Sequence, residues 1–269
     1  MPQRPPNSTD TSCKIAKPRM PHLFECWPAV ARRLRAAPSV ALFLDFDGTL
    51  AHIVPTPSEA SLPTATRQRL RSLARHRGVR VCIISGRDRA TLQELIAVPR
   101  VRYLGLYGWQ NGRRNSLDAP TTSSLSMAKL DLKQKLQGVP GVWVEDKRHT
   151  FTIHYRGAPL SSVRVAREAL RETVPANPLL RMLRAKKAWE VVPAGFAGKH
   201  DAVLRELRRL PESLPIYAGD DHADEEAFNA IPTGISIHVG TRRRSNAQFC
   251  LRNPDEVRQF LEKLEEELP

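Results

Sequence analysis

The chain from Ser39 to Leu50 reads SVALFLDFDGTL. Its first half is an apolar run, and Asp45, Asp47 and Gly48 follow directly. An apolar run of this length, bounded by turn residues, is typical of a strand that is buried on both faces of a sheet. Functional groups of open α/β sheets cluster at the carboxyl ends of the strands. This stretch therefore predicts a buried parallel strand with a polar site at its end.

Buried strands and helical patterns alternate on both sides of this stretch. A helical pattern over 63–77 leads to VRVCII at 79–84, and VRYLGLYG at 101–108 reads as a third strand. Farther along, PIYAGDD at 215–221 and GISIHVG at 234–240 alternate with two more helical segments. Strands that alternate with helices predict a parallel sheet with right-handed crossover connections.

Residues 113–192 interrupt this alternation with the order helix, two strands, helix, two strands. That order predicts an open antiparallel sheet covered by two helices. The fold class is therefore α/β, with a doubly wound, mostly parallel Rossmann-like core and an inserted α+β cap domain. The predicted boundaries are a basic, proline-rich tail at 1–36, a discontinuous catalytic core at 37–112 and 193–269, and a cap for substrate specificity at 113–192.

The composition limits the class of protein. Of 269 residues, 41% are hydrophobic and 26% are charged, which excludes wholesale disorder. No run approaches 18 consecutive apolar residues, so we expect no membrane association. The four cysteines form no CxxC pair. This argues against a zinc site or a disulfide framework, and we expect a protein of the reducing cytoplasm.

The charge of the chain is strongly basic. Lys and Arg number 42 against 28 Asp and Glu, a net charge of +14, so nucleic acid is a partner to consider. However, the basic residues are spread over several helical segments, and aromatic residues make up only 6%. We therefore expect solvated basic helix faces, a small anionic substrate and a monomer, and we keep nucleic-acid binding as an alternative.

Four groups of polar residues mark strand ends or helix starts. Each group has a structural explanation, such as an Asx turn, a helix cap or a solvated lysine. Together they fit one chemistry. Paired carboxylates repel unless a cation lies between them, and oxygen ligands without His or Cys favour magnesium. An aspartate can attack phosphorus, a second carboxylate can move the proton, and hydroxyl and ammonium groups can hold the phosphoryl oxygens. The groups are Asp45 with Asp47, Ser85 with Gly86 and Arg87, Lys199 after Gly198, and Asp220 with Asp221 and Asp224.

These groups resemble the motifs of a known enzyme class. DFDGT, SGR, the helix-opening lysine and GDDHADE resemble the four motifs of haloacid-dehalogenase-like (HAD) phosphatases. LFLDFDGTLAHIVPTP, VEDKRHTFTIHYR and AWEVVPAGFAGKHDAV are similar to the trehalose-6-phosphate phosphatase family, and the resemblance covers about residues 37–262. It implies a magnesium-dependent phosphatase that releases trehalose from trehalose 6-phosphate, the last step of trehalose synthesis, through an aspartyl-phosphate.

The resemblance also implies roles for individual residues. Asp45 matches the nucleophile and Asp47 the general acid/base. Magnesium would be held by Asp45, the main-chain carbonyl of Asp47, and Asp220, with Asp221 and Asp224 in support. The phosphate-binding positions are Ser85, Gly86 and Lys199. The substrate-binding positions are Arg87, Glu145, Lys147, Arg156, Lys186 and Glu190, with Lys187 as an alternative to Lys186.

The segment after the third strand departs from the family pattern. The family usually has a His-Gly pair and then a Glu, whereas this chain has Tyr107, Gly108 and Gln110. Both side chains can still hydrogen-bond a sugar, so the departure affects the identity of the sugar. Another sugar phosphate, such as sucrose phosphate or a glycosyl-phosphoglycerate, is thus an alternative substrate. A catalytically silent regulatory subunit is a further alternative, against which the intact Asp45, Asp47, Lys199 and Asp220 set argues.

Overall fold

This computed structural model describes residues 20–112, 116–185, 187–241 and 245–268. Ten strands and eight α-helices lie in these ranges. In chain order the elements are α1 (Trp27–Ala36), β1 (Ser39–Leu44), α2 (Thr64–Leu73), β2 (Val79–Ile84), α3 (Arg89–Ile96), β3 (Arg102–Leu104), α4 (Ala119–Lys135), β4 (Trp143–Asp146), β5 (Phe151–His154), α5 (Leu160–Thr173), β6 (Leu180–Ala185), β7 (Ala188–Pro193), α6 (Lys199–Leu207), β8 (Ser213–Gly219), α7 (His222–Asn229), β9 (Ile235–Val239), β10 (Phe249–Leu251) and α8 (Pro254–Glu267).

The core is a six-stranded sheet in the order β10-β9-β8-β1-β2-β3, and every neighbouring pair is parallel. Strand β1 lies between β2 and β8, and its residues 40–44 are all buried. Apolar clusters cover both faces of the sheet. The α/β prediction and the buried first strand are therefore confirmed, and the carboxyl ends of β1, β2 and β8 meet at one edge.

The predicted third strand is shorter than the sequence indicates. Only Arg102–Leu104 pairs with β2, and Leu106–Gly108 forms a short 3-10 turn. Leu106 and Tyr107 have φ of 47° and 57° in the left-handed region, which a strand cannot contain. The apolar run VRYLGLYG therefore holds a strand and then a tight turn that returns to the site.

The inserted region forms a second sheet in the order β4-β5-β7-β6, and all of its pairs are antiparallel. Helices α4 and α5 pack on one face, where Leu132, Phe151, Ile153 and Leu170 form an apolar core. The opposite face is turned toward the core sheet. This matches the predicted α+β cap, and the division at residues 113 and 192 stays our proposal.

The tail predicted at 1–36 is only partly within the described residues, because residues 1–19 lie outside them. Its second part is helical, as α1 shows. Leu23, Val30 and Leu34 are buried, and His22 forms a β-bridge with Cys250. Residues 20–36 therefore pack against the core domain instead of extending from it.

Within the described ranges, none of the helices combines the length and the apolar character needed to cross a bilayer.

Replacing Phe151 with Ala tests whether the cap is a packed unit. Phe151 is fully buried, so we expect the free energy of unfolding to fall by about 3–5 kcal/mol. Leu160→Ala is the control, because Leu160 is 78% exposed and its loss should change stability by less than about 0.5 kcal/mol. Urea titration followed by circular dichroism measures both, and equal losses would contradict the cap core described above.

Candidate active site

Most of the predicted site residues line a cleft between the core sheet and the cap sheet. Its volume is about 1050 Å³ when the open mouth is counted. The core side contributes the ends of β1, β2 and β8 and the first residue of α6, and the cap side contributes β4, β5 and β7. The predicted site residues that line the cleft are Asp45, Asp47, Ser85, Gly86, Arg87, Glu145, Lys147, Arg156, Glu190, Lys199, Asp220 and Asp221.

The centre of the core side is a buried lysine between carboxylates. Lys199 Nζ lies 2.8 Å from Asp45 Oδ1 and 2.6 Å from Asp224 Oδ1, and only 2% of its side chain is exposed. Burial alone would lower the pKa of Lys199, but the charges of Asp224 and Asp45 outweigh it and raise that pKa well above its usual value. The ammonium group therefore stays charged beside Asp45.

The carboxylate of Asp224 accepts four hydrogen bonds at this centre. Its Oδ1 accepts hydrogen bonds from Lys199 and from the Tyr217 hydroxyl at 2.7 Å. Its Oδ2 accepts from the backbone N–H groups of Asp220 at 3.0 Å and Asp221 at 2.9 Å. Burial opposes ionisation, but Lys199 and these hydrogen bonds keep the pKa of Asp224 below its ordinary value. Four donors thus occupy this carboxylate, and it acts as a support.

The acidic centre fits a hard cation. Carboxylate oxygens of Asp45, Asp220 and Asp224 lie within 4.8 Å of one another. Burial, and then the charges of Asp224 and Asp220, raise the pKa of Asp45 well above its usual value although Lys199 opposes them. This is the expected result where buried negative charge exceeds the available positive charge. Because donors already occupy Asp224, we infer that Asp45 and Asp220 are the carboxylates that would bind the cation.

The carboxylate of Asp47 is not one of this cluster, because it is paired with Arg87. Arg87 donates from Nε and Nη2 to the two oxygens of Asp47, each at 2.7 Å. Arg87 Nη1 also donates to the carbonyl of Pro57 at 2.9 Å. A planar guanidinium fits a carboxylate with two parallel hydrogen bonds, which explains the arrangement. Arg87 thus lines the cleft and is paired with Asp47. Its substrate-binding role and the metal-binding role of the Asp47 carbonyl stay predictions.

The phosphate-binding positions lie next to this pair. Ser85 is 2% exposed, and its Oγ accepts from the backbone N–H of Arg87 at 3.2 Å. Gly86 has no room for a side chain, because an added Cβ would lie 2.8 Å from the hydroxyl oxygen of Tyr107. Ser85, Gly86 and Lys199 are thus brought to one wall of the cleft, as the sequence predicts.

The cap residues face the cleft from the other side. Glu145 Oε2 lies 2.8 Å from His154 Nε2, and Lys147 Nζ lies 3.3 Å from Glu190 Oε2. Burial raises the pKa of Glu145, but His154, Lys147 and Arg87 outweigh it and lower that pKa below its usual value. Glu145 is therefore a carboxylate that can accept hydrogen bonds from sugar hydroxyls.

Two further cap lysines are candidates for contact with substrate, Lys186 and its alternative Lys187. Lys186 lies outside the described residues, so its predicted contact with substrate stays a prediction. Lys187, the alternative, is exposed and has φ of 61° in the turn between β6 and β7. It is not one of the residues that line the cleft.

Thr152 and His154 also line the cleft, although neither is among the site residues predicted from the sequence. The register pairs Thr152 with Glu145 on one side and with Glu190 on the other, so these three side chains form a row. The Oγ1 of Thr152 is buried and has no hydrogen-bond partner among the described residues. The alternation of side chains along β5 could have identified these two residues. Phe151 and Ile153 point into the cap core, so Thr152 and His154 must point to the opposite face.

The comparisons with known proteins agree with this geometry. The family model described as trehalose-phosphatase matches residues 43–255. The trehalose-phosphate phosphatase of Mycobacterium tuberculosis H37Rv is 33% identical over 244 residues, with 85% of this chain and 62% of the relative covered. That of Mycobacterium ulcerans is 31% identical over 247 residues, covering 86% of this chain and 63% of the relative. The chain therefore spans less than two thirds of the length of these relatives.

Solved structures share the two-sheet fold. The C-terminal domain of C. albicans trehalose-6-phosphate phosphatase superposes with a TM-score of 0.80 at 22% identity, over 93% of this chain and all of that one. Trehalose-6-phosphate phosphatase from Aspergillus fumigatus gives 0.63 at 25% identity, over 92% and 99%. The C-terminal domain of a Candida albicans trehalose synthase regulatory protein gives 0.64 at 11% identity, over 91% and 99%. The fold is thus shared with a regulatory protein, and activity has to be argued from the site.

Gly48→Ala tests the close packing of the acidic centre. Gly48 has φ of 88°, and a Cβ there would overlap the carboxylate of Asp220. We expect the displaced carboxylate to lower phosphate release by at least about a hundredfold, since a misplacement near 1 Å has that effect. Gly138→Ala is the matched control, with φ of 76° and open space around the added carbon. Equal activity in the two variants, measured at saturating magnesium, would contradict the packing.

Proposed function

Because this chain belongs to the trehalose-phosphatase family, we propose that it hydrolyses trehalose 6-phosphate to trehalose and inorganic phosphate in a magnesium-dependent reaction. The observation that carries the proposal is the buried Lys199 beside Asp45 at one end of a cleft whose other wall is the polar face of the cap. The end of the cleft that holds Lys199 and Asp45 suits a phosphoryl group. The polar cap wall suits a ligand rich in hydroxyl groups.

Asp45 and Asp47, which follow β1, have different roles in the proposed reaction. An oxygen of Asp45 attacks phosphorus, the bond from phosphorus to the sugar oxygen breaks, and Asp47 gives its proton to that oxygen. Water then attacks the aspartyl-phosphate, Asp47 takes the proton from this water, and the bond from phosphorus to Asp45 breaks. Phosphate leaves and both aspartates return to their starting state.

Other residues of the chain hold the reacting groups in place. The Ser85 hydroxyl and the Lys199 ammonium donate to phosphoryl oxygens, in a position where bulk water is excluded. Asp45 and Asp220, with the main-chain carbonyl of Asp47, would hold magnesium, which neutralises the negative charge that the phosphate brings. Arg87 has to release one oxygen of Asp47 before that carboxyl group can reach the leaving oxygen.

The cap supplies the sugar contacts in this proposal. Glu145 offers an acceptor and Lys147 a donor on one face of the antiparallel sheet, next to Glu190, and Arg156 adds a charge at the rim. A site that pairs its buried polar groups with substrate hydroxyls rejects ligands that leave those groups unpaired. Closure of the cap over the sugar would exclude water, and its opening would release the product.

Another sugar phosphate is a second candidate substrate, favoured by the departure at two positions. Tyr107 lines the cleft, so its side chain can affect which sugar fits. The Oε1 of Gln110 instead accepts a hydrogen bond from the backbone N–H of Arg89 at 2.6 Å, on the core side of the turn. The expected sugar contact stays a prediction for Tyr107, which lines the cleft, whereas this oxygen of Gln110 already accepts a hydrogen bond from the core.

A panel of sugar phosphates tests the substrate. Phosphate release with magnesium should be fastest, by kcat/KM, for trehalose 6-phosphate, and slower for sucrose 6-phosphate and glucosyl-phosphoglycerate. Asp45→Asn should lower the rate by at least about a thousandfold on every substrate, because it removes the nucleophile. A preference for another member of the panel would replace trehalose by that sugar, and activity retained in Asp45→Asn would contradict the mechanism.

Asp47→Asn separates the two roles of that residue. With p-nitrophenyl phosphate the leaving group needs no proton, so we expect a burst of about one nitrophenolate per enzyme and then slow turnover, since the base is missing. With trehalose 6-phosphate we expect no burst, because the alkoxide leaves poorly. Rapid mixing with absorbance detection measures the first case and phosphate or trehalose release the second. A full steady rate on both substrates would show that Asp47 is not the acid/base.

A further inference from the structure

Tyr107 is fixed to the loop that carries the phosphate-binding serine. Its backbone N–H donates to the carbonyl of Ser85 at 2.9 Å, and the N–H of Leu106 donates to the carbonyl of Arg87 at 2.8 Å. The two residues adopt left-handed φ angles, which cost free energy for side chains with a Cβ and are found where surrounding contacts enforce them. The turn thus presents the Tyr107 side chain from a defined point on the core.

The side chain of Tyr107 reaches across the cleft to the cap. Its hydroxyl donates to Glu190 Oε2 at 2.8 Å, and both residues are buried, Glu190 being 1% exposed. Burial, and then the charge of Glu190, raise the pKa of Tyr107 well above its usual value. The hydroxyl therefore keeps its proton and remains a donor to the carboxylate.

Glu190 also accepts hydrogen bonds from two cap residues, Thr150 and Lys147. Its Oε1 accepts from the Thr150 hydroxyl at 2.8 Å, and its Oε2 accepts from Lys147 Nζ at 3.3 Å. Lys147 Nζ also donates to the carbonyl of Gly86 at 3.3 Å, which returns the chain of contacts to the phosphate loop. A closed circuit of hydrogen bonds therefore links Ser85 and Gly86 in the core with Lys147 and Glu190 in the cap through Tyr107.

We propose that Tyr107 is a positioning residue that, through Glu190, sets where Lys147 and the cap sheet lie over the phosphate site. The inference rests on the proposed function, because it assigns Lys147 and Glu190 to the sugar half of the cleft. The Tyr107 side chain passes close to Gly86 on its way from the core turn to the cap strand. A Cβ on residue 86 would lie 2.8 Å from the Tyr107 hydroxyl oxygen, so glycine fits this position.

Tyr107→Phe removes only the bridging hydroxyl. We expect KM for trehalose 6-phosphate to rise about tenfold with a much smaller change in kcat, since one hydrogen bond to a buried charge is lost and the phosphate groups are kept. Tyr103→Phe is the matched control. Tyr103 is also buried, and its hydroxyl bonds the backbone of Val98 at 2.9 and 3.0 Å, away from the cleft. Its KM should match that of the parent chain.

A double-mutant cycle with Glu190→Met tests whether Tyr107 acts through Glu190. In that background the second change, Tyr107→Phe, should alter KM by less than about twofold, because its partner is already gone. If turnover of Glu190→Met is too slow, the same cycle is measured by calorimetry, as binding of trehalose 6-phosphate to proteins that also carry Asp45→Asn. Circular dichroism checks that each variant is folded.

Two results would overturn the inference: an unchanged KM in Tyr107→Phe, or the same rise with and without Glu190. The proposed function is judged separately by the parent chain on the sugar-phosphate panel. If the parent prefers another sugar phosphate, the cycle is run on that substrate, and the role of Tyr107 is decided although the trehalose assignment fails. If the parent prefers trehalose 6-phosphate and the cycle is additive, only the role of Tyr107 fails.

Discussion

The ion pair between Lys199 and the carboxylates of Asp45 and Asp224 is the constraint on which the rest of the site depends. Removing an ammonium and carboxylates from water costs several kcal/mol per ion, and the cost is recovered only if the geometry and the remaining hydrogen bonds are good. Here one ion comes from the end of β1, one from the start of α6 and one from α7. Three segments that are far apart in the chain must therefore pack to place three atoms, and the parallel sheet provides this packing because the ends of β1 and β8 are adjacent.

The cap depends on the core in a different way. Its own apolar cluster lies between the antiparallel sheet and two helices, so the opposite face of the sheet is available for polar residues. That face carries the row Glu145, Thr152 and Glu190 across three neighbouring strands. Glu190 is 1% exposed, and it accepts hydrogen bonds from Tyr107 of the core and from Thr150 and Lys147 of the cap. The polar face proposed to bind the sugar therefore contacts residues of both cap and core.

Much of this could be predicted because it depends on local patterns. Apolar runs that end in polar residues identify buried strands and place Asp45, Ser85 and Asp220 at one edge of the sheet, and the alternation along β5 would have identified Thr152 as well. The pairing of Arg87 with Asp47 could not be predicted. The two residues are 40 positions apart, and their contact depends on side-chain geometry across two strands, for which the sequence has no repeating signal. The end of β3 at Leu104 could not be predicted for the same reason. The left-handed turn that follows this strand is stabilised by hydrogen bonds to residues 85–87, which are distant in the sequence.

The chain is basic overall, yet the centre of its candidate active site is acidic. The net charge of the chain is +14, whereas carboxylate oxygens of Asp45, Asp221 and Asp224 lie within 4.0 Å of Lys199 Nζ. Asp220 lies beside Asp45 and Asp224, so the carboxylates outnumber this lysine when all are ionised. A phosphate ester would be attracted by the basic surface and repelled at the centre. Under the proposed function, the substrate would bind productively only with a cation that reduces the negative charge at that centre. Lys199 cannot serve this purpose alone, because Asp45 and Asp224 already share its charge. From this it follows that cation and sugar phosphate should each strengthen the binding of the other, and the size of that coupling reflects the excess of carboxylates around Lys199.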